Sequence, residues 1–236
     1  MRMVQTTAEQ SGRRSTRGPS LLGYLALAGI LVALYMVFFY APREAMMGDV
    51  QRIFYFHVPS AYIAFLAFAV VFVSGVQYLR TRNIEWDARA HASAEIGVVF
   101  CTIALITGSI WAKPIWGAWW TWDPRLTTTL VLWLIYVSYL MLRRALDEPE
   151  RRARFAAVVG IIGFVDVPLV FMSIRWWRTI HPVVFRVDAI DVDGQMMVAL
   201  LVALAAFTLL YVYLLKLRVG LEHLQIRVET LQRMRW

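Results

Sequence analysis

Between Trp116 and Leu126 the chain reads Trp-Gly-Ala-Trp-Trp-Thr-Trp-Asp-Pro-Arg-Leu, which places four indoles (Trp116, Trp119, Trp120, Trp122), the carboxylate of Asp123 and the guanidinium of Arg125 in one short stretch. Indoles present large flat faces with one polar edge. With Gly117 and Pro124 to turn the chain, the cluster suits a broad, flat, mostly apolar ligand. The competing explanation is an aromatic belt, because tryptophan gathers wherever a membrane helix meets the headgroups. A belt needs no acidic residue, rigid turn or paired cation at that depth, and Asp123-Pro124-Arg125 supplies all three.

Two histidines stand in surroundings of the same kind. His57 lies in Phe56-His57-Val58-Pro59-Ser60, where the proline fits the first turn of a helix. His181 closes Arg175-Trp176-Trp177-Arg178-Thr179-Ile180-His181-Pro182, and Pro182 biases it away from helical geometry. Imidazole is a common axial ligand of haem iron, and two from different helices can approach opposite faces of the ring. Indoles can pack against the macrocycle. The guanidinium groups of Arg52, Arg125, Arg178 and Arg186 can pair with propionates. The residue types are the parts that a haem site requires.

The elements that must position these residues are membrane helices. With 60% hydrophobic and 17% charged residues, the 236-residue chain has too little polar surface to cover a soluble core. A span needs about 20 predominantly apolar residues. Six candidates meet that length: Leu21 to Ala41, Phe54 to Leu79, Glu95 to Trp111, Leu126 to Leu142, Phe155 to Ile174 and Met196 to Leu217. The expected fold is an all-α membrane protein of six transmembrane helices. A polar arm covers 1–20 and an amphipathic tail 218–236, with the haem-handling domain at 21–217 and its tryptophan loop near 112–125. The arm with Arg13, Arg14 and Arg17 reads as part of an uncleaved anchor and not as a signal peptide.

Charge sets the orientation. Of the 24 Lys and Arg residues, 17 fall in the arm, the second-to-third and fourth-to-fifth connections and the tail. The positive-inside bias therefore places both termini in the cytoplasm. The three connections with unusual chemistry, leading into His57, carrying the tryptophans and ending at His181, then share the outer face. His91 and His223 fall on the inner side and read as ordinary surface histidines. The net charge of +8 follows membrane sidedness and forms no nucleic-acid patch. Cys101, the sole cysteine, reads as a packing residue and excludes disulfides, thiolate clusters and C-x-x-C-H haem attachment. No nucleotide-binding or acyl-transfer motif occurs, so no catalytic residue is assigned.

Two features stay open on the residues alone. Asp166, mid-way along the fifth span, either lines a polar cavity or makes an interhelical hydrogen bond at the Pro168 kink. The tail, with Leu221, Leu224, Val228 and Leu231 at helical spacing, either lies on the inner membrane face, docks on a partner or is solvated.

The stretch from Trp116 to Asp123 matches the W-G-x-W-W-x-W-D signature of the haem-handling WWD-domain membrane proteins. Within that group the chain resembles the haem exporter protein C (CcmC) family of bacterial cytochrome c maturation. The resemblance rests on length, six spans, His57-Val58-Pro59, Val165-Asp166-Val167-Pro168 and Arg175 to His181, and covers nearly the whole chain beyond the arm. Tyr62 departs from it, standing where a tryptophan is common. The resemblance implies an inner-membrane protein that presents haem b at the periplasmic face to a membrane-anchored haem chaperone (CcmE-like). The implied partners are an ABC-type ATPase complex (CcmA/CcmB-like) and a small membrane subunit (CcmD-like). It also implies His57 and His181 as axial or near-axial ligands and the tryptophans with Asp123 as the platform. A cytochrome b-type electron-transfer subunit, a transporter centred on Asp166 and a cofactor-free scaffold are the alternatives.

Overall fold

The structure is a computed structural model, and it describes residues 20–177, 179 and 193–234. Among these, seven α-helices build six spans: α1 (Leu21–Tyr35), α2 (Phe54–Thr81), α3 (Ile84–Trp116), α4 (Pro124–Ala145), α5 (Pro149–Phe164), α6 (Asp166–Trp176) and α7 (Gly194–Arg233). A π-helical turn, Met36–Tyr40, prolongs α1, and a 3-10 turn, Asp49–Ile53, leads into α2. Each of the six helical stretches is long and apolar enough to cross a membrane.

Local sequence explains where most helices start. Ser20, Asn83, Asp123 and Asp193 each turn a side-chain oxygen onto a backbone N–H of the first turn that follows. Pro124 and Pro149 occupy first-turn positions, where the missing N–H costs nothing. The fifth span is broken at Val165. Pro168 cannot donate to the Phe164 carbonyl, so α5 ends and α6 restarts at Asp166.

The core is built from small residues and stacked rings. Ala64 and Ala67 of α2 meet Ala90 and Ala94 of α3, all nearly inaccessible. A Cβ on Gly97 would come within 2.6 Å of the Phe68 ring, and one on Gly163 within 2.6 Å of Ile135. Helices in lipid gain little from hydrophobic exclusion and associate through such close approach. Phe68 stacks on Tyr136 with centroids 3.7 Å apart. Hydrogen bonds tie the spans together: the Tyr136 hydroxyl donates to the Gly160 carbonyl (3.1 Å), Trp133 Nε1 to Thr102 (2.8 Å) and Ser93 to the Ala67 carbonyl (2.8 Å). Leu25, Leu27, Leu31 and other exposed apolar side chains form the outer surface, as a lipid-facing helix requires.

Three expectations are revised. Pro59 is the sixth residue of α2 and lies inside the helix, past the first turn expected for it, while His57, the fourth residue, does stand in the first turn. Helix α3 begins at Ile84, far ahead of its apolar run, because the Asn83 cap and the acidic first-turn residues Glu85 and Asp87 favour it. His91 therefore lies within α3 and is no loop residue. Nor does α7 break at Leu217. Its 40 residues extend about 60 Å, roughly twice a bilayer's hydrocarbon core.

Asp166 is buried at the break, where its Oδ2 has no hydrogen-bond partner among the described residues. Among the described residues, Oδ2 therefore does not make the interhelical bond considered for Asp166. Its position at the first turn of α6 places the carboxyl at the favourable end of the helix dipole.

Candidate functional site

Consecutive spans alternate in direction, so the turn from Ala41 to Gly48, the tryptophan loop and the end of α6 share one end of the bundle. A cluster of Val37, Ala41, Phe54, Tyr55, Met196, Ala199 and Leu200 ties the spans together there, with Phe56, Val58 and Trp111 packed on it. His57 stands against this cluster, half-buried between α2 and α3.

The imidazole of His57 is held in one orientation. Its Nδ1 lies 3.0 Å from the Ala104 carbonyl and 3.2 Å from Thr107 Oγ1. A carbonyl only accepts, and the Thr107 hydroxyl already has a partner in the Ile103 carbonyl at 2.7 Å, so Nδ1 is the proton donor. In the neutral ring the lone pair is then on Nε2, which makes no hydrogen bond among the described residues. Metal-ligating histidines characteristically donate their second ring nitrogen to a carbonyl in this way. Trp111 meets the ring edge-on, with centroids 6.0 Å apart. Gly108 leaves the space it needs, since a Cβ there would sit 3.0 Å from His57 Cε1. Trp111, Thr107 and Gly108 were not anticipated. A hydroxyl beside a glycine inside an apolar span was the available signal.

The tryptophan stretch divides by exposure. Trp116, the last residue of α3, and Trp120 are half-buried, whereas Trp119 is 57% and Trp122 75% exposed. Gly117 ends α3 with φ of 75°, a left-handed conformation that glycine adopts without strain. Trp120 and Trp122 meet edge to face at 5.9 Å. Trp176 and Trp177, also more than half exposed, bring two further indoles to this end.

Asp123 has a local structural role. It is 8% exposed, and its Oδ1 accepts the Arg125 N–H at 3.0 Å as the N-cap of α4. The Asp-Pro pair after the tryptophans is thus a helix-start signal in its own right. We expect Asp123→Ala to destabilise the protein by about 1 kcal/mol, and Asp123→Ser or Asn to recover most of that loss. Thermal unfolding of the three variants checks this; a Ser variant as unstable as the Ala variant would show that more than capping is lost.

Arg125, in the first turn of α4, lies within electrostatic range of His57 on α2, Asp123 and Arg175 on α6. Arg52 is engaged elsewhere: it donates to the Val37 carbonyl and lies 3.4 Å from Asp49, which makes it a brace of the α1–α2 connection. His181, Arg178 and Arg186 lie outside the described residues. Near the site, the buried Trp111 Nε1, Thr121 Oγ1, Thr127 Oγ1 and Tyr55 hydroxyl have no hydrogen-bond partner among the described residues. An indole-bearing end with an oriented imidazole and spare polar atoms has the chemistry that suits a large planar group with polar edges.

The opposite end holds the charges that sequence reading assigned to solvent. Arg143 grips Asp87 bidentately at 2.5 and 2.8 Å, and both are buried. His91 lies 3.0 Å from Glu222 and 3.5 Å from Glu95, and Arg218 pairs with both carboxylates. His91, Glu95 and Glu222 have the composition of a metal site. Arg218 pairs with both carboxylates and His91 reaches both, so the group acts as an ion-pair network pinning α7 to α3. His223, 2.9 Å from Glu85, adds a second tie. Neither histidine is an ordinary surface residue.

Comparison with known proteins agrees with this architecture. A family profile described as Heme exporter protein C matches residues 5–234. The Heme exporter protein C of Bradyrhizobium diazoefficiens is 37% identical over 219 residues, covering 91% of this chain and 83% of that protein. That of Rhodobacter capsulatus is 33% identical over 210 residues, 86% and 85% of the two chains. The Escherichia coli protein of the same name is 38% identical over 165 residues, 67% and 66% of the two. By the extent of the match and the six-span helical bundle that carries it, the chain belongs to the haem exporter protein C (CcmC) family.

Proposed function

We propose that this protein handles haem for cytochrome c maturation, holding haem b as cargo at the tryptophan end and delivering it to a membrane-anchored haem chaperone. Both termini are cytoplasmic on this reading, and the tryptophan end faces the periplasm of the bacterial inner membrane, as the distribution of Lys and Arg favours. The supporting observation is the Nδ1 contact of His57 with the Ala104 carbonyl, which fixes Nε2 as the free ligand atom. His181 is the second ligand. Trp116, Trp119, Trp120 and Trp122 form the platform, Asp123 fixes the start of α4 beneath it, and Arg125 and Arg178 meet the propionates. An ABC-type ATPase complex and a small membrane subunit complete the assembly.

The residues divide the work between holding and releasing. Exposed indoles cover an apolar macrocycle without enclosing it, so the cargo is kept from water yet remains within reach of a second protein. When bound, haem supplies the iron and the vinyl edge for the chaperone. The bundle supplies a rigid frame on which the His57 ring cannot turn away.

The test is the visible spectrum and pyridine haemochrome of the purified protein co-expressed with the chaperone, beside a Trp119→Ala/Trp122→Ala variant. A b-type spectrum in the parent, with clearly reduced haem at equal protein and unfolding temperature in the variant, is expected. Undiminished haem in the variant would reduce these indoles to a membrane belt. A colourless folded parent would overturn the reading as a whole.

A further inference from the structure

A groove of about 600 Å³ opens on the side of the bundle, far from the tryptophan loop. Ala69, Val70 and Val73 of α2 form one wall and Val212, Leu215 and Val219 of α7 the other. Along α7 these residues span about 10 Å at the helical rise of 1.5 Å per residue. The groove thus runs lengthwise down the bundle, and both walls are aliphatic.

Its rim has a different character. Trp86 and Arg89 of α3 and Lys216 of α7 border the groove at the end of the bundle where α2 gives way to α3. The Arg89 guanidinium lies over the Trp86 ring, 4.7 Å from its centroid, which orients it. Arg143, Arg154 and Arg218 at this end are committed, to Asp87, to Glu150 and to Glu95 and Glu222; Arg80, Arg144 and Arg152 form no ion pair among the described residues but do not line the groove. Arg89 and Lys216 form no ion pair among the described residues, and both are exposed. Two exposed cations therefore flank an aliphatic channel.

We propose that this groove binds an anionic phospholipid, with an acyl chain between α2 and α7 and its headgroup phosphate held by Arg89 and Lys216. Basic residues of the membrane interface commonly orient a protein without binding any particular lipid. What distinguishes this pair is its position over a shaped apolar channel and the indole that fixes one of the two cations. Charge complementarity selects an anionic headgroup over a zwitterionic one. Occupancy would also bridge α2 and α7, two spans that flank the ion-pair network of α3 and α7.

Delipidated full-length protein in detergent, examined by native mass spectrometry with phosphatidylglycerol or phosphatidylethanolamine of identical chains, tests this. The parent is expected to prefer phosphatidylglycerol on the order of tenfold, and Arg89→Gln/Lys216→Gln to reduce that preference to about twofold or less. Val73→Trp, which fills the channel from an exposed position and leaves the cations in place, should weaken both lipids. Equal binding of the two lipids by the parent, or an unchanged preference in the double variant, would overturn the proposal. So would full displacement of the lipid by glycerol phosphate, which lacks acyl chains and would show that the cations alone make the site.

Discussion

Replacing Asp87 by alanine is expected to destabilise the bundle by about 3–5 kcal/mol, the largest stability effect of any single polar substitution considered. The carboxylate and Arg143 are each only 6% exposed, and their two hydrogen bonds leave few other partners for the guanidinium. Without Asp87 the Arg143 charge stays buried and uncompensated. Its Nε already lacks a hydrogen-bond partner among the described residues, and the facing Tyr139 hydroxyl lacks one too. A buried pair is costly to break and far cheaper to replace whole. Asp87→Ala/Arg143→Met should therefore recover most of the loss. Denaturation of both variants in the same detergent checks the sign. An Asp87→Ala protein as stable as the parent would show that the pair is open to water.

The second large effect is expected at the other end. His57→Ala should abolish or greatly reduce haem retention while leaving the unfolding temperature close to that of the parent. The ring is half-buried, and its contacts with Ala104, Thr107 and Trp111 lie at the edge of the packed cluster. Outer partners of a metal-ligating histidine typically matter tenfold to a hundredfold in affinity, and the ligand itself matters at least as much. A smaller loss is expected for Gly108→Val, which leaves the imidazole in place but pushes against it. A Gly108→Val protein that loses haem completely while His57→Ala retains it would reverse this order.

The elements of the fold were legible because lipid imposes simple rules. Apolar length marked six spans, whereas Asp123-Pro124, assigned from the sequence to the tryptophan shelf, starts α4 two residues ahead of the apolar run. Less legible was how far the helices run past the apolar segments. The Ile84 start of α3 depends on a cap and charged first-turn residues that hydropathy ignores, so His91 was read as a loop residue. Pairings such as Asp87 with Arg143 and His91 with Glu222 join distant parts of the chain, and only the packed bundle brings them together. The same limit applies at the site. The residue type and end of His57 could be read from sequence. Its tether to the Ala104 carbonyl could not, since a backbone acceptor leaves no trace in residue identity.

In the proposed function His57 Nε2 is a ligand of the haem iron. Chemical rescue tests that most directly: His57→Gly protein is purified with its chaperone, and the Soret region is recorded before and after adding free imidazole. Loss of the parent spectrum in the variant, with its return on adding imidazole and none on adding an amine unable to coordinate in that space, is the predicted result. A His57→Gly protein with the parent's spectrum, indifferent to imidazole, would contradict the ligand assignment and leave the imidazole as a brace between α2 and α3.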